Sequence, residues 1–241
     1  MRERLPLLVG LALLAVAVAV GSVTIAGGIR DRNRNDVLTV TGSAKKRIVA
    51  DYVVWDVSVA SQQLSASAAA KELTAWTDRI RSFLRREGVE AGELTVQPIS
   101  TETVTGQTDG GQSGKVIAYK LTRSFEVRSS RVQEVAGVAE HSSALLAQGI
   151  PLAAQPPQYV YTKLPTLRPQ LLAEATKDAQ QRARVLVEAT GAHLWKLRGV
   201  DVGVFQVTSP NSTEVSDYGV YDTSTLEKDV TAVVNVTFAL R

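Results

Sequence analysis

Cysteine is absent from all 241 residues. Disulfides, zinc-thiolate sites and thiol nucleophiles are excluded with it. Histidine occurs only twice, at His141 and His193, far apart in the chain. A metal site would need carboxylate ligands besides, and no spacing in the sequence points to any. Aromatic residues make up only 5% of the chain, so Val, Ala and Leu must fill most of a core. An excess of one charge is also missing where it would matter. Before Asn35, Arg2, Arg4, Arg30, Arg32 and Arg34 stand against Glu3 and Asp31, which gives +3, the whole net charge of the protein. The remaining chain is electrically neutral and offers no field to draw a phosphate backbone, so nucleic-acid binding is disfavoured.

A long apolar run, in contrast, is present. Leu5 to Ile29 contains no charged residue and consists mostly of Leu, Val and Ala. At about 1.5 Å per residue it is long enough to cross a hydrocarbon layer of roughly 30 Å. It is expected to be a transmembrane anchor, with residues 1–36 forming that anchor and a polar juxtamembrane linker. Ala17-Val18-Ala19 offers a signal-peptidase site as an alternative. The flanking arginines do not fix an orientation. The short N-terminal flank favours an inner-membrane anchor with the rest of the chain facing the periplasm or the cell exterior.

Residues 37–241 read as one α+β domain, antiparallel strands with helices packed on one face. Val37 to Gly42 alternates and ends on glycine, a short strand. Asp51 to Gln63 alternates with Val53, Trp55, Val57 and Val59 on one side. A helix over about Ser65 to Glu87 carries an apolar stripe of Leu73, Trp76, Ile80, Phe83 and Leu84, and Gly88 ends it. Strands follow over Glu93 to Thr105 and Val116 to Ser129, joined by the glycine-rich Gly106 to Gly114 as a hairpin with a mobile tip. A second helix is expected over Arg131 to Gln148, with Val135, Val138, Leu145 and Leu146 turned inward. Proline then breaks the chain into short extended pieces, and a division into two subdomains near Pro156-Pro157 is the alternative to a single domain. A long helix is expected from Pro169 to Thr190, its inner stripe Leu172, Ala175, Ala179, Ala183 and Leu186 small enough for close approach to a sheet. Two strands close the chain, Lys196 to Thr208 and Lys228 to Leu240. In the last of these Val230, Ala232, Val234, Val236, Phe238 and Leu240 share a face.

The motifs that invite a chemical reading fail on context. Gly114-Lys115 lacks the first glycine of a phosphate loop, because Asp109 stands there, and it joins two strands. Ser43-Ala44-Lys45-Lys46 has the Ser-x-x-Lys spacing of serine acyl enzymes but no helix start, and reads as a solvated basic turn. Asp51 and Asp56 point to opposite faces of a strand and cannot share a proton. No catalytic, cofactor-binding or metal-binding residue is expected, and an envelope hydrolase built on paired carboxylates is the least favoured class. Tyr218 and Tyr221, in the polar loop Ser209 to Glu227, are candidate partner contacts. Trp55 is expected in the core, with an exposed partner contact as its alternative.

Together, VLTVTGSA (Val37 to Ala44), DYVVWDVSV (Asp51 to Val59), a helix ending in Gly88-Val89 before ELTVQPIS, the strand AYKLTRSFEV and the Ala-rich helix LLAEATKDAQQRARVLVEATGAHL resemble the SIMPL domain family, DUF541. The resemblance implies an exported bacterial envelope protein with no catalytic motif. Members include periplasmic and outer-membrane-associated immunogenic proteins, one of them a large ring-like homo-oligomer, and some are linked to oxidative-stress tolerance. The resulting expectation is a non-enzymatic, membrane-tethered homo-oligomer working through protein contacts. The alternative is a ligand-binding sensor or accessory subunit of an envelope complex.

Overall fold

The alternation of β-branched residues that marks strands in the sequence becomes ten strands and four helices among the described residues of this computed structural model, which are 36–108, 111–214 and 216–241. The predicted span Leu5 to Ile29 and the hairpin tip at positions 109 and 110 lie outside them. Among the described residues no helix is long and apolar enough to cross a membrane. The architecture is α+β with antiparallel sheets, divided into two compact units.

The larger unit comprises 44–174 and 203–233. Its sheet runs in the order β3 (Leu94–Val96), β5 (Gly111–Ser129), β2 (Tyr52–Gln63), β6 (Leu152–Ala154), with β4 (Ser100–Thr108) on β5 and β7 (Gln158–Val160) on β2. These pairs are all antiparallel. Both short strands β6 and β7 pair with β2, so the Pro156-Pro157 segment lies inside this unit and does not divide it. Val53, Trp55, Val57 and Val59 alternate into the core opposite Leu121, Phe125 and Val127 of β5. Helix α1 (Ala66–Arg86) covers that face with Leu73, Ile80, Phe83 and Leu84. Ser65 caps it, its hydroxyl accepting from the Ala68 amide at 3.2 Å, and Gly88 leaves it at φ +92°.

Several boundaries depart from the sequence reading for local reasons. Pro98 cannot donate to a ladder, and the expected strand Glu93 to Thr105 is broken there into β3 and β4. The expected single helix over 131–148 is two, α2 (Val132–His141) and α3 (Ser143–Ala147). Ser142 between them turns its hydroxyl to the Ala139 carbonyl at 2.6 Å. The break shifts the helical phase, so Leu145 is buried while Leu146, expected inward, is exposed. Helix α4 begins at Leu164, five residues before Pro169, so Pro169 sits inside the helix and not at its first turn.

The smaller unit comprises the described residues 36–43 with 175–202 and 234–241. It holds the start of β1 (Val37–Val49), the second half of α4 (Leu164–Thr190), β8 (Leu194–Val202) and the end of β10 (Glu227–Leu240). Its sheet runs β1-β10-β8. Thr39 faces Thr237 at 2.9 Å and Thr41 faces Asn235 at 2.7 Å, a descending register that makes β1 and β10 antiparallel. Strand β1 does not stop at Gly42. A Cβ there would lie 2.2 Å from the Ala175 carbonyl oxygen and 2.5 Å from the Ala179 amide nitrogen, so glycine marks the place where the helix backbone touches the strand. Ala175, Ala179 and Ala183 are fully buried, as the small-residue stripe requires. In the larger unit the stripe continues to Leu171, not Leu172, and in the smaller one it ends at Val187, not Leu186, because burial follows a strict four-residue step. The continuation of β1 through Ser43 to Lys46 also removes the expected basic turn, since that segment is strand.

In β10 the inward alternation of Val234 and Val236 does not extend to Phe238 and Leu240, which are half-buried while Ala239 is buried. The pairing with β8 slips on either side of Phe238, and the slip changes the face.

Candidate interaction surface

The charged side chains that chemistry would need are held by one another. Glu93 accepts from Ser129 Oγ at 2.5 Å and from Arg131 Nε at 3.1 Å, with a second, shorter contact to Arg131 Nη2. The Arg131 hydrogen bond, with Ser129 helping, brings the Glu93 carboxyl down to about 2. Asp229 is buried between Lys45 at 2.8 Å and Arg47 at 3.0 Å and accepts from the Asn211 amide at 3.1 Å. Hydrogen bonds from Arg47 and then Lys45 hold its carboxyl far below the usual range.

Sequence reasoning gave no warning of Lys228, whose side chain is fully buried. Its Nζ donates to the Thr225 carbonyl at 2.5 Å and lies 3.6 Å from Asp222 Oδ2. Burial pushes the Lys228 ammonium down. Burial would likewise raise Asp222, but hydrogen bonds from Ser224 and Thr225 outweigh it and bring that carboxyl to about 2. These contacts fold the loop after β9 (Gln206–Thr208) back onto its own strand, because an unpaired ammonium cannot stay buried.

Of the three candidate contact residues, the structure leaves one free. Trp55 is 1% exposed and its Nε1 donates to the Gln155 carbonyl at 2.9 Å, which makes it core and removes the partner-contact alternative. The Tyr221 hydroxyl accepts from the Tyr161 amide at 3.1 Å and donates to the Tyr161 carbonyl at 3.3 Å, so this half-exposed ring pins the loop down. Tyr218 alone stands out, 97% exposed. His141 lies on the surface with Nδ1 2.9 Å from Glu87, while the backbone of His193 pairs with Arg241.

A surface the sequence reading missed lies in the smaller unit. Trp195, Leu197, Val200 and Val202 are all exposed on β8, while the exposed Val185 and Leu186 of α4 lie apart from them beside Thr39, Val40 and Thr41 of β1. Strand β8 forms one edge of its sheet and has no strand neighbour other than β10 among the described residues. Its pairing with β10 is irregular. Val202 faces Val234 and Val200 faces Val236, both buried on the helix side. Gly199 faces Thr237, but the next partner of β10, Phe238, faces Leu197, so Arg198 is an extra residue. A second slip follows between Phe238 and Leu240, where two residues of β8, Trp195 and Lys196, stand against one of β10, Ala239. A cleft of about 690 Å³ opens there, lined by Trp195, Leu197, Val236 and Phe238 from the sheet and by Gln180, Arg184, Val187 and Glu188 from α4. Lys196 lies over the Trp195 ring, 4.3 Å from its centre. The signal was present as WKLRGVDV, but plain alternation would split those apolar residues between two faces, and only the pairing with β10 shows that the strand is irregular there.

The SIMPL family model, described as "Protein of unknown function (DUF541)", matches residues 38–238. No curated protein matches the chain. Among solved structures, the de novo designed protein Foldit4 is similar over 43% of this chain and 93% of its own, at 10% identity and a TM-score of 0.27. An amidase of the hydantoinase/carbamoylase family from Burkholderia multivorans is similar over 52% of this chain and 30% of its own, at 11% identity and a TM-score of 0.23. An uncharacterized conserved protein from Listeria innocua is similar over 79% of this chain and 91% of its own, at 11% identity and a TM-score of 0.21. These scores fall below the level of a shared overall fold.

Proposed function

We propose, from the premise that the chain belongs to the SIMPL family, that it is a non-enzymatic envelope protein acting through self-assembly and protein contacts. The apolar run Leu5 to Ile29 ties it to the inner membrane, and residues 37–241 face the periplasm or the cell exterior, in a role linked to stress tolerance. The observation that carries this reading is the concentration of exposed apolar side chains along the edge strand β8, which pairs only with β10 among the described residues. An edge of that length with apolar residues on it is a template for pairing with another chain. A non-enzymatic role is supported by the engagement of Glu93, Asp222 and Asp229 in structural ion pairs.

The test is the mass of the full-length protein in detergent, by light scattering, beside that of a chain starting at Asn35. A discrete oligomer in both is expected. Monomers in both, with no partner recovered by crosslinking, remove the reading. Retention of the full-length protein in the membrane pellet after carbonate washing is the expected result for the anchor.

A second reading, a ligand-binding accessory subunit, draws on the cleft beside Trp195. An occupant would change Trp195 fluorescence. A small-molecule panel that leaves the emission unchanged argues against it.

A further inference from the structure

One end of the smaller unit is tied to the apolar run by a short linker, and this inference rests on the reading that Leu5 to Ile29 is a membrane anchor. We propose that this end of the unit rests on the bilayer surface, with Trp195 at the level of the headgroups and Lys196 and Arg198 on the phosphates of anionic lipids.

The tether sets the geometry. Only Arg30 to Asn35 separate the apolar run from Asp36, a span of no more than about 25 Å at full extension. The Asp36 carbonyl accepts from the Leu240 amide at 2.8 Å, and Leu240 pairs with Leu194 of β8. His193 and Arg241 exchange backbone hydrogen bonds at 3.2 and 2.9 Å. The beginnings of β1 and β8 and the end of β10 therefore form one row. Across it, the start of β8 lies two strand spacings, about 10 Å, from the residue that follows the linker.

The side chains of that row suit a lipid–water boundary. Trp195 is 57% exposed, Leu197 56% and Val37 49%. At the second slip Trp195 and Lys196 stand together against Ala239, and the Lys196 ammonium lies 4.3 Å from the centre of the Trp195 ring. An indole beside a cation is the combination that settles among headgroups, the ring toward the acyl chains and the charge toward phosphate.

Charge points the same way. Residues 44–174 and 203–233 carry 16 Lys and Arg against 18 Asp and Glu, a net −2. Residues 36–43, 175–202 and 234–241 carry six against four, a net +2. Of those six, Arg184, Lys196, Arg198 and Arg241 have no ion-pair partner among the described residues. The linker adds Arg30, Arg32 and Arg34. Asp31, Asp36 and Glu188 are the carboxylates beside them, so cations prevail at this end. An anionic leaflet attracts cations held within a Debye length of about 10 Å. The tether also holds the patch at high effective concentration, so a weak contact is enough. Val200 and Val202 lie further along β8 and remain for protein contacts.

Tryptophan emission of the full-length protein in vesicles tests this. The acyl chains are brominated, and the lipid is either phosphatidylcholine alone or an equimolar mixture with phosphatidylglycerol. The three tryptophans are Trp55, Trp76 and Trp195, so W195F supplies the signal of the other two. Bromine should quench the Trp195 emission in the mixture and leave W195F unchanged. Raising salt from about 0.1 M to about 1 M should relieve the quenching. K196Q/R198Q should lower the docked-to-free ratio roughly 25-fold, about 5-fold for each cation. Protein that floats with the vesicles while bromine leaves its Trp195 emission unmoved overturns the docking, and the anchor stands. Equal quenching in phosphatidylcholine alone and at both salts overturns the assignment to anionic lipid. Emission that follows protein density and ignores bromine overturns it in favour of a second copy. Protein that does not float with the vesicles removes the anchor and this inference together.

Discussion

Trp55 and Trp195 stand in strands of the two units and have opposite fates. In the larger unit, β2 is flanked by β5 on one side and by β6 and β7 on the other, and α1 covers its apolar face. Trp55 is therefore enclosed and its indole nitrogen finds a carbonyl. In the smaller unit, β8 has one strand neighbour among the described residues, and Trp195 remains 57% exposed beside a cleft. Strand β2 buries its apolar face; β8 keeps Trp195, Leu197, Val200 and Val202 in water. An edge strand keeps apolar side chains in water that a strand flanked on both sides buries, because burial needs a neighbour on each side and an edge strand lacks one.

The sharpest way to break this comparison is to truncate each tryptophan. W55A should cost roughly 3–5 kcal/mol in denaturant unfolding, the range for emptying a buried aromatic site. W195A should change stability by no more than about 0.5 kcal/mol. Equal losses would mean that the smaller unit depends on its exposed face as much as the larger depends on its core.

Next in size is the one place where the smaller unit is tightly built. G42A would drive a methyl group into the α4 backbone at Ala175 and Ala179, where neither neighbour is a flexible side chain. A loss of roughly 1–3 kcal/mol or more is expected by the same denaturant measurement. A neutral G42A would show that helix and strand separate readily.

Acid should separate the units more gently. Glu93 and Asp222 in the larger unit are held near 2, below the ordinary 4.5 and 3.8. A lowered folded-state value means that the stabilisation is complete above the ordinary value and is lost as pH falls through the folded one. Melting temperature should therefore decline between about pH 4.5 and pH 2. E93Q should flatten part of that decline by removing a titrating group. An unchanged acid profile in E93Q would deny the Arg131 contact its role. The smallest effect is expected at Tyr218: Y218A should leave the melting temperature unaltered, because its exposed ring has nothing to lose on folding.

Legibility in the sequence followed the range of the interactions. The strands β2 and β5, the helix α1 and the alanine stripe of α4 were readable because each writes its burial into its own residue spacing. Boundaries were lost where one residue overrode a pattern, as at Pro98 and Ser142, or where a helix began earlier than its proline suggested, as at Leu164. Among the candidate contacts, Tyr218 is exposed and Tyr221 tethers its loop, while the exposed Trp195 was passed over. The buried Lys228 was unreadable as well, since its partner Asp222 belongs to a polar loop with no periodicity.

The sequence by itself determined that this chain forms antiparallel strands and amphipathic helices around a Val-, Ala- and Leu-filled core. It also determined the family to which the chain belongs, because side-chain alternation, helix caps and small-residue spacing are local properties. Only the tertiary structure decided which strand lies at an edge and which face carries its apolar residues. Those depend on how many neighbours a strand acquires and on two slips in the register between β8 and β10, one at Arg198 and one at Trp195-Lys196. A bulge is defined by a partner strand distant in sequence, so nothing in WKLRGVDV alone could show where the register of β8 slips.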